Sequence, residues 1–277
     1  MTMDALSKRY PVWFCDIWGV VHNGRKPFLS TTQALAKHRS RGGTVILVTN
    51  SPRTRAGVER QLLQLGVDPQ SHDSITTSGD VTRELVVTHG GGKIFHLGPE
   101  RDLSIFEGLN VERVSMRKAH ACLCTGLFDD RSETPRDYAD LLAGMKSRDL
   151  EMICANPDRI VRHGDRILYC AGALAEAYAN IGGRVQMAGK PYRPIYDLAL
   201  AEARRIRGSD VRLEDILAIG DGPETDIRGA AAYGLDALLV AEGVTDASDG
   251  LEAAEAKVLS LVPQARIVAT MHQLSWD

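Results

Sequence analysis

Four polar clusters stand at or just beyond the expected carboxyl ends of strands: Asp16, Thr49-Asn50, Lys190, and Asp221 with Asp226. Three carboxylates gathered in one place strongly favour a cation. Their donors are all oxygen, which suits Mg²⁺ rather than Zn²⁺. Lys190 would add one positive charge and the ion two, so carboxylates, ammonium and metal together would be neutral. A phosphate dianion arriving there would meet fixed cations and donors, with a hydroxyl from Thr49 and a backbone N–H from Asn50. An aspartate nucleophile that splits a difficult hydrolysis into two easier steps is an established device of phosphoryl transfer. Taken singly, each cluster has a plain structural reading. An Asp after a strand caps turns, Thr-Asn is ordinary turn chemistry, Lys190 suits a solvated surface, and Asp226 suits a helix start. Their order and setting together favour the chemical reading.

Such clusters can converge only if the chain between them builds the right scaffold. In open α/β sheets, ligands bind in the crevice outside the carboxyl ends of the strands. Short β-branched runs at 12–15, 44–48, 215–219 and 236–240 alternate with helix-length segments at 30–41, 53–65, 194–207 and 225–233. That alternation predicts parallel βαβ units and a doubly wound α/β sheet. Gly42-Gly43, Gly66 and Gly234 stand at the expected helix ends, where a left-handed C-cap favours glycine. The middle breaks the pattern. Gly90-Gly91-Gly92 follows a helix-like stretch at 80–88, then strand candidates appear at 94–97, 119–124, 151–155 and 167–170. Helix candidates at 135–148 and 173–181 lie among them. Residues 1–79 and 186–277 are therefore read as one core domain and 80–185 as an inserted α/β domain, with Gly182-Gly183 as the return hinge.

Composition narrows the function classes. The chain has 277 residues, 44% of them hydrophobic and 25% charged, as in an average soluble globular protein. Lys plus Arg number 33 and Asp plus Glu 36, a net charge of −3. That balance gives no electrostatic footprint for a nucleic acid polymer or an anionic membrane. The cysteines are five, an odd number, and none forms a CxxC pair, which argues against zinc and redox motifs. Cys122 and Cys124 alternate as on one face of a buried strand. A reduced, cytoplasmic setting is expected. No apolar run approaches the roughly 18 residues of a membrane span, and the N-terminus lacks a signal-peptide core.

The four clusters also resemble a family. Asp16-Ile17-Trp18-Gly19-Val20-Val21 looks like the first motif of the haloacid dehalogenase-like (HAD) superfamily. Val48-Thr49-Asn50-Ser51-Pro52-Arg53 resembles the second motif in its class IIA, NagD-like branch. Gly189-Lys190-Pro191 resembles the third motif. Gly220-Asp221-Gly222-Pro223-Glu224-Thr225-Asp226 resembles the fourth, with the branch's GDxxxTD spacing. Asn156-Pro157-Asp158 and Ala171-Gly172-Ala173 resemble the branch's cap domain. The resemblance runs from about residue 10 to about residue 245. It implies a Rossmann-like core with an inserted α/β cap of the C2 type, which covers the site and reads the leaving group. It implies a Mg²⁺-dependent phosphatase working through an aspartyl-phosphate. Asp16 would be the nucleophile and a metal ligand, Thr49 and Asn50 would hold the phosphoryl group, and Lys190 would neutralise the developing charge. Asp221 would ligate Mg²⁺, Asp226 would support it through water, and Trp18 would offer its backbone carbonyl. The implied partner is a small phosphorylated metabolite, such as a nucleotide monophosphate, sugar phosphate, pyridoxal phosphate or glycolate phosphate. A homodimer is the one protein association left open.

Trp18 departs from the pattern. The family's phosphatases usually carry a second Asp there, which protonates the leaving oxygen and then activates water. An indole cannot move that proton. Two expectations remain side by side: a slow phosphatase, or a homologue that binds phosphate and Mg²⁺ without hydrolysis. His22, six residues after Asp16, is a candidate stand-in acid. His22, Arg53, Asn156 and Asp158 are candidates for reading the substrate, Asp158 being a turn residue first and a substrate contact second, and Arg55 is more simply a surface residue. A phospho-signalling receiver also combines Asp, Thr and Lys around Mg²⁺, but its phosphorylated Asp follows a later strand and it needs no inserted domain. A carbon–halogen hydrolase needs no metal, so Asp221 and Asp226 argue against it.

Overall fold

The computed structural model describes residues 2–89, 92–163, 166–241, 245 and 247–276. Gly90 and Gly91 of the glycine run lie outside the described residues. Contacts divide the chain into two compact units. The first comprises Met1–Thr49, Glu59–Thr76 and Lys190–Asp277; the second comprises Asn50–Val58 and Thr77–Gly189.

The elements run α1 (Met3–Arg9), β1 (Val12–Cys15), α2 (Leu29–Ser40), β2 (Thr44–Thr49), α3 (Arg55–Leu65) and β3 (Ser74–Thr77). The second unit continues with α4 (Ser78–His89), β4 (Lys93–Leu97), β5 (Glu112–Arg113), β6 (Ala121–Cys124), α5 (Ala139–Ser147) and β7 (Glu151–Cys154). It ends with β8 (Ile160–His163), β9 (Arg166–Tyr169), α6 (Ala171–Asn180) and β10 (Val185–Met187). The first unit then resumes with α7 (Arg193–Arg207), β11 (Ile216–Gly220), α8 (Arg228–Tyr233), β12 (Asp236–Val240), α9 (Leu251–Leu261) and β13 (Arg266–Met271).

The first unit is built on a six-stranded sheet of order β13-β12-β11-β1-β2-β3. The β13–β12, β12–β11, β11–β1 and β1–β2 pairs are parallel. Parallel strands covered on both faces read as continuous apolar runs. Accordingly β1, β2 and β11 are buried along their whole lengths. The strand order reverses at β1, with β2 on one side and β11 on the other. Cys15 pairs with Ile219, so Asp16 and Gly220-Asp221 leave the sheet side by side at the switch point. At the end of α8, Gly234 takes a φ of +88°, a left-handed C-cap that an L side chain adopts only with strain.

The second unit has its own parallel five-stranded sheet, β10-β7-β6-β4-β5, and a separate antiparallel pair, β8-β9. Its strands alternate between two apolar layers. Cys122, Cys124, Met152 and Cys154 face one layer, and Ala121, Leu123, Ile153 and Ala155 face the other. The fold is α/β with a doubly wound Rossmann-like core and an inserted α/β unit. Two boundaries differ from the sequence reading. Gly182, with φ +82°, ends α6 inside the second unit and is not the point of return. The short strand β10 pairs with β7, which carries the second unit on to Gly189. At the other boundary, Asn50–Val58 join the second unit, where the sequence reading placed them in the core.

Candidate active site

Asp16 follows β1 directly and is buried, as are Asp221 after β11 and Asp226 beyond it. Their carboxylate oxygens lie within 4.8 Å of one another. Asp16 is fixed by its backbone N–H, which donates to the Ile219 carbonyl at 2.8 Å. Asp226 sits on a wide turn over Pro223–Ile227, where the Ile227 N–H reaches the Gly222 carbonyl five residues back. Such widened turns are rare and recur at functional sites. Its Oδ2 accepts from the Gly222 N–H at 3.1 Å and the Thr225 hydroxyl at 3.3 Å.

Lys190, only 3% exposed, is the counter-charge. Its Nζ donates to Asp16 Oδ1, to Asp226 Oδ1 at 2.6 Å and to the Val48 carbonyl at 3.0 Å. An ammonium has three donors, so each is used. Burial pushes the Asp16 carboxyl well above the usual carboxylate range; Lys190 opposes this, and Asp226 and Asp221 add to it. Burial alone would push the Lys190 ammonium down, but Asp16 and Asp226 reverse this and hold it well above its ordinary range. One ammonium thus faces three carboxylates, and the group is short of positive charge.

A hard divalent cation fits this donor set: three buried carboxylates, all oxygen. The backbone makes room for them. Gly19 has φ +92°, and a Cβ there would run into the Asp221 carboxylate. A Cβ on Gly220 would likewise collide with the side chain of Asp226.

Thr49, the last residue of β2, is buried in the same unit. Asn50 belongs by its contacts to the second unit. Its Nδ2 donates to Asp158 Oδ1 at 2.8 Å, and the Asp158 N–H donates to Asn156 Oδ1 at 3.0 Å. Arg53 and Arg55 are half-buried in that unit. The Arg53 N–H donates to Ser51 Oγ at 3.3 Å, and the Arg55 N–H to Asp80 Oδ1 at 3.3 Å.

Trp18 and His22 lie edge to face, ring centroids 5.1 Å apart. His22 is 2% exposed, and its Nδ1 accepts from the Gly24 N–H at 3.0 Å. Burial pushes its pKa down to about 4, so the ring is neutral near pH 7. A neutral imidazole donating from Nε2 is a much weaker acid than an imidazolium.

Three further contributors carry little signal in the sequence. The Val48 carbonyl carries no residue-type signal. Gly19 was visible as part of a motif, but its contact with Asp221 was not. Thr245 donates from its hydroxyl to the Asp221 carbonyl at 2.8 Å, across a sequence distance that no local pattern reveals.

Comparison with known proteins identifies the family. Residues 13–112 match the family model of a haloacid dehalogenase-like hydrolase, and residues 187–265 match a second, HAD-hydrolase-like model. A solved haloacid dehalogenase-like hydrolase from Brucella suis 1330 is 48% identical, with 99% of this chain and 98% of that chain covered and a TM-score of 0.89. D-glycerol 3-phosphate phosphatase of Mycobacterium tuberculosis is 25% identical over 99% of this chain and 77% of its own. A glycerol phosphate phosphatase structure from Mycobacterium tuberculosis, solved in complex with magnesium, has a TM-score of 0.72 at 23% identity. It covers 97% of this chain and 77% of that one. The chain belongs to the haloacid dehalogenase-like family, and it is an enzyme of the hydrolase type. Among the described residues, no helix is long and apolar enough to cross a membrane.

Proposed function

We propose that the protein is a Mg²⁺-dependent phosphatase that hydrolyses a small phosphorylated metabolite through a phosphoryl group carried on Asp16. The observation that carries this reading is the buried Asp16–Asp221–Asp226 cluster with Lys190 bonded to Asp16 and Asp226. Asp16, Asp221 and the Trp18 backbone carbonyl would hold the divalent ion, with Asp226 supporting it through water. When bound, it supplies Lewis-acid polarisation of the phosphoryl oxygens and the positive charge that the cluster lacks.

In the first half-reaction an Asp16 carboxylate oxygen attacks phosphorus, an O–P bond forms, and the ester O–P bond breaks. In the second, water attacks the phosphoryl-Asp16, inorganic phosphate leaves, and the carboxylate is regenerated. Lys190 opposes the upward push that burial gives the Asp16 carboxyl and neutralises charge as it develops. The Thr49 hydroxyl and the Asn50 N–H would grip the phosphoryl oxygens. The leaving oxygen needs a proton, and neither the Trp18 indole nor a neutral His22 is suited to supply it. General acid–base assistance contributes about 10²–10⁴-fold. Esters with good leaving groups, such as aryl or acyl phosphates, should therefore turn over far better than alkyl ones.

Trp18 also favours a second reading, a phosphate- and Mg²⁺-binding homologue without turnover. Phosphate release from a panel of aryl, acyl and alkyl phosphates, with Mg²⁺ and with chelator, separates the two. Metal-dependent release whose kcat/KM depends steeply on leaving-group pKa and which disappears in Asp16→Asn supports the phosphatase. Phosphate binding without release from any ester supports the second reading. Trp18→Asp should raise the rate with alkyl phosphates more than with aryl ones, with folding checked by thermal melt.

A further inference from the structure

The Asn-Pro-Asp turn that follows β7 holds Asn50, more than a hundred residues earlier in the chain. Asn50 is 3% exposed, and its carboxamide donates to Asp158 Oδ1 at 2.8 Å. The amide nitrogen is the donor in this bond, so Nδ2 faces Asp158 and Oδ1 faces away. The turn is itself braced, because Asn156 Oδ1 accepts the Asp158 N–H at 3.0 Å and the Asn156 carbonyl takes the Cys154 thiol at 3.3 Å. Gly172 closes in behind it, where a Cβ would collide with the Pro157 carbonyl oxygen. Gly189 completes the mould around Asn50: a Cβ there would collide with Asn50 Oδ1 and would sit 2.8 Å from Pro157 Cδ. All these residues belong to one compact unit, whereas Thr49, the preceding residue, belongs to the other.

We propose that Asp158 is a positioning residue that acts through Asn50, and that the Asn50 carboxamide is a tether rather than a phosphate ligand. The tether sets the backbone at residue 50, and with it the N–H that the proposed function assigns to the phosphoryl group. This keeps Asp158 in the turn that the sequence suggests first and takes it out of the direct substrate contact that the sequence suggests second. It rests on the phosphatase reading for its functional consequence, but not for the contact itself.

A double-mutant cycle on the full-length protein with an aryl phosphate and Mg²⁺ tests it. A hydrogen bond to a charged group is worth about 1.5–3 kcal/mol, so Asp158→Ala should lower kcat/KM by roughly tenfold or more. Asn50→Ala should do the same, and the double variant should be no worse than the poorer single one. Asp158→Asn, whose amide oxygen can still accept, should recover most of the loss. Multiplicative losses in the double variant would overturn the proposal, since Asp158 would then act independently of Asn50. So would an Asp158→Asn variant as poor as Asp158→Ala. A readout that needs no turnover keeps this separate from the phosphatase reading. The Asn50 side-chain amide resonances, assigned through Asn50→Ala, should be shifted and slow to exchange in the natural protein. They should keep that character in Asp158→Asn and lose it in Asp158→Ala. Amide signals unchanged in Asp158→Ala would overturn the tether even if every variant were inactive.

Discussion

The molecule contains two parallel α/β sheets, and they differ most at their strand ends. In the six-stranded sheet, β1 and β11 end on Asp16 and Asp221, two buried carboxylates beside Lys190. In the five-stranded sheet, β4, β6 and β7 end on Gly98, Thr125 and Ala155-Asn156, all uncharged. The thiols of the second sheet are buried in its apolar layer, and burial pushes Cys122, Cys124 and Cys154 up. They therefore stay neutral and act as small apolar side chains. Similar architecture thus carries a carboxylate cluster at the strand ends of one unit and uncharged residues after β4, β6 and β7 of the other. Chemistry resides in the residues grafted onto the strand ends, not in the sheet.

The contrast breaks most completely if the core cluster loses its ammonium. Lys190→Met leaves Asp16, Asp226 and the Val48 carbonyl without their shared donor. Removing one partner of a buried ion pair costs about 3–5 kcal/mol. Denaturant unfolding in metal-free buffer should show a loss of that order, partly restored by Mg²⁺, and activity should be lost with or without it. An unchanged midpoint would mean that Lys190 is not the counter-charge of the cluster.

Metal should sharpen the contrast in the other direction. A ligand that binds only the folded state stabilises it by about 2.7 kcal/mol at a hundred times its Kd. Mg²⁺ titrated into the natural protein should raise the thermal midpoint in steps that saturate. Asp221→Asn should blunt that response, while Cys122→Ala, in the inserted sheet, should leave it intact at a lower starting midpoint. An equal response in Asp221→Asn would place the cation elsewhere.

Acid should act on both units. His38, buried in the first unit and stacked on Trp13 at 3.8 Å, is pushed down to about 4 by burial. His96 in the second is also pushed to about 4, again by burial first. Both lie below the ordinary value of about 6.5 of an unfolded histidine. The unfolded chain therefore takes up protons first, and stability present above about pH 6.5 is lost as pH falls towards 4. For His38 the loss approaches about 1.4 kcal/mol per pH unit within that window. His38→Phe keeps an aromatic partner for Trp13 and should flatten part of the decline in a series of melts. An unaltered slope would assign the acid sensitivity to other groups.

The sequence exposes the site better than it exposes the edges of the fold. Asp16 and Asp221 follow short runs whose burial on both faces makes them legible as central strands. Three other strands are hard to read. Ser74–Thr77 is fully buried yet rich in hydroxyls, Val185–Met187 has only three residues, and Arg266–Met271 is a half-buried edge. Helix Met3–Arg9 buries only Met3 and Leu6 and starts on a Thr2 cap, a signal too short for periodicity to reveal. The bond from Asn50 to Asp158 was illegible for another reason: it joins side chains 108 residues apart. The Lys190 contacts with Asp16, Asp226 and Val48 are equally non-local, and only the ordered motifs hinted at their convergence.

The most direct test of Asp16 as the phosphoryl carrier is peptide mapping of the protein, acid-quenched soon after mixing with an aryl phosphate and Mg²⁺. The phosphoryl group should appear on the peptide that contains Asp16, persist because Trp18 offers no base to the attacking water, and vanish in chelator and in Asp16→Asn. A phosphoryl group on another peptide, or an Asp16→Asn variant that releases phosphate at the natural rate, would contradict the assignment.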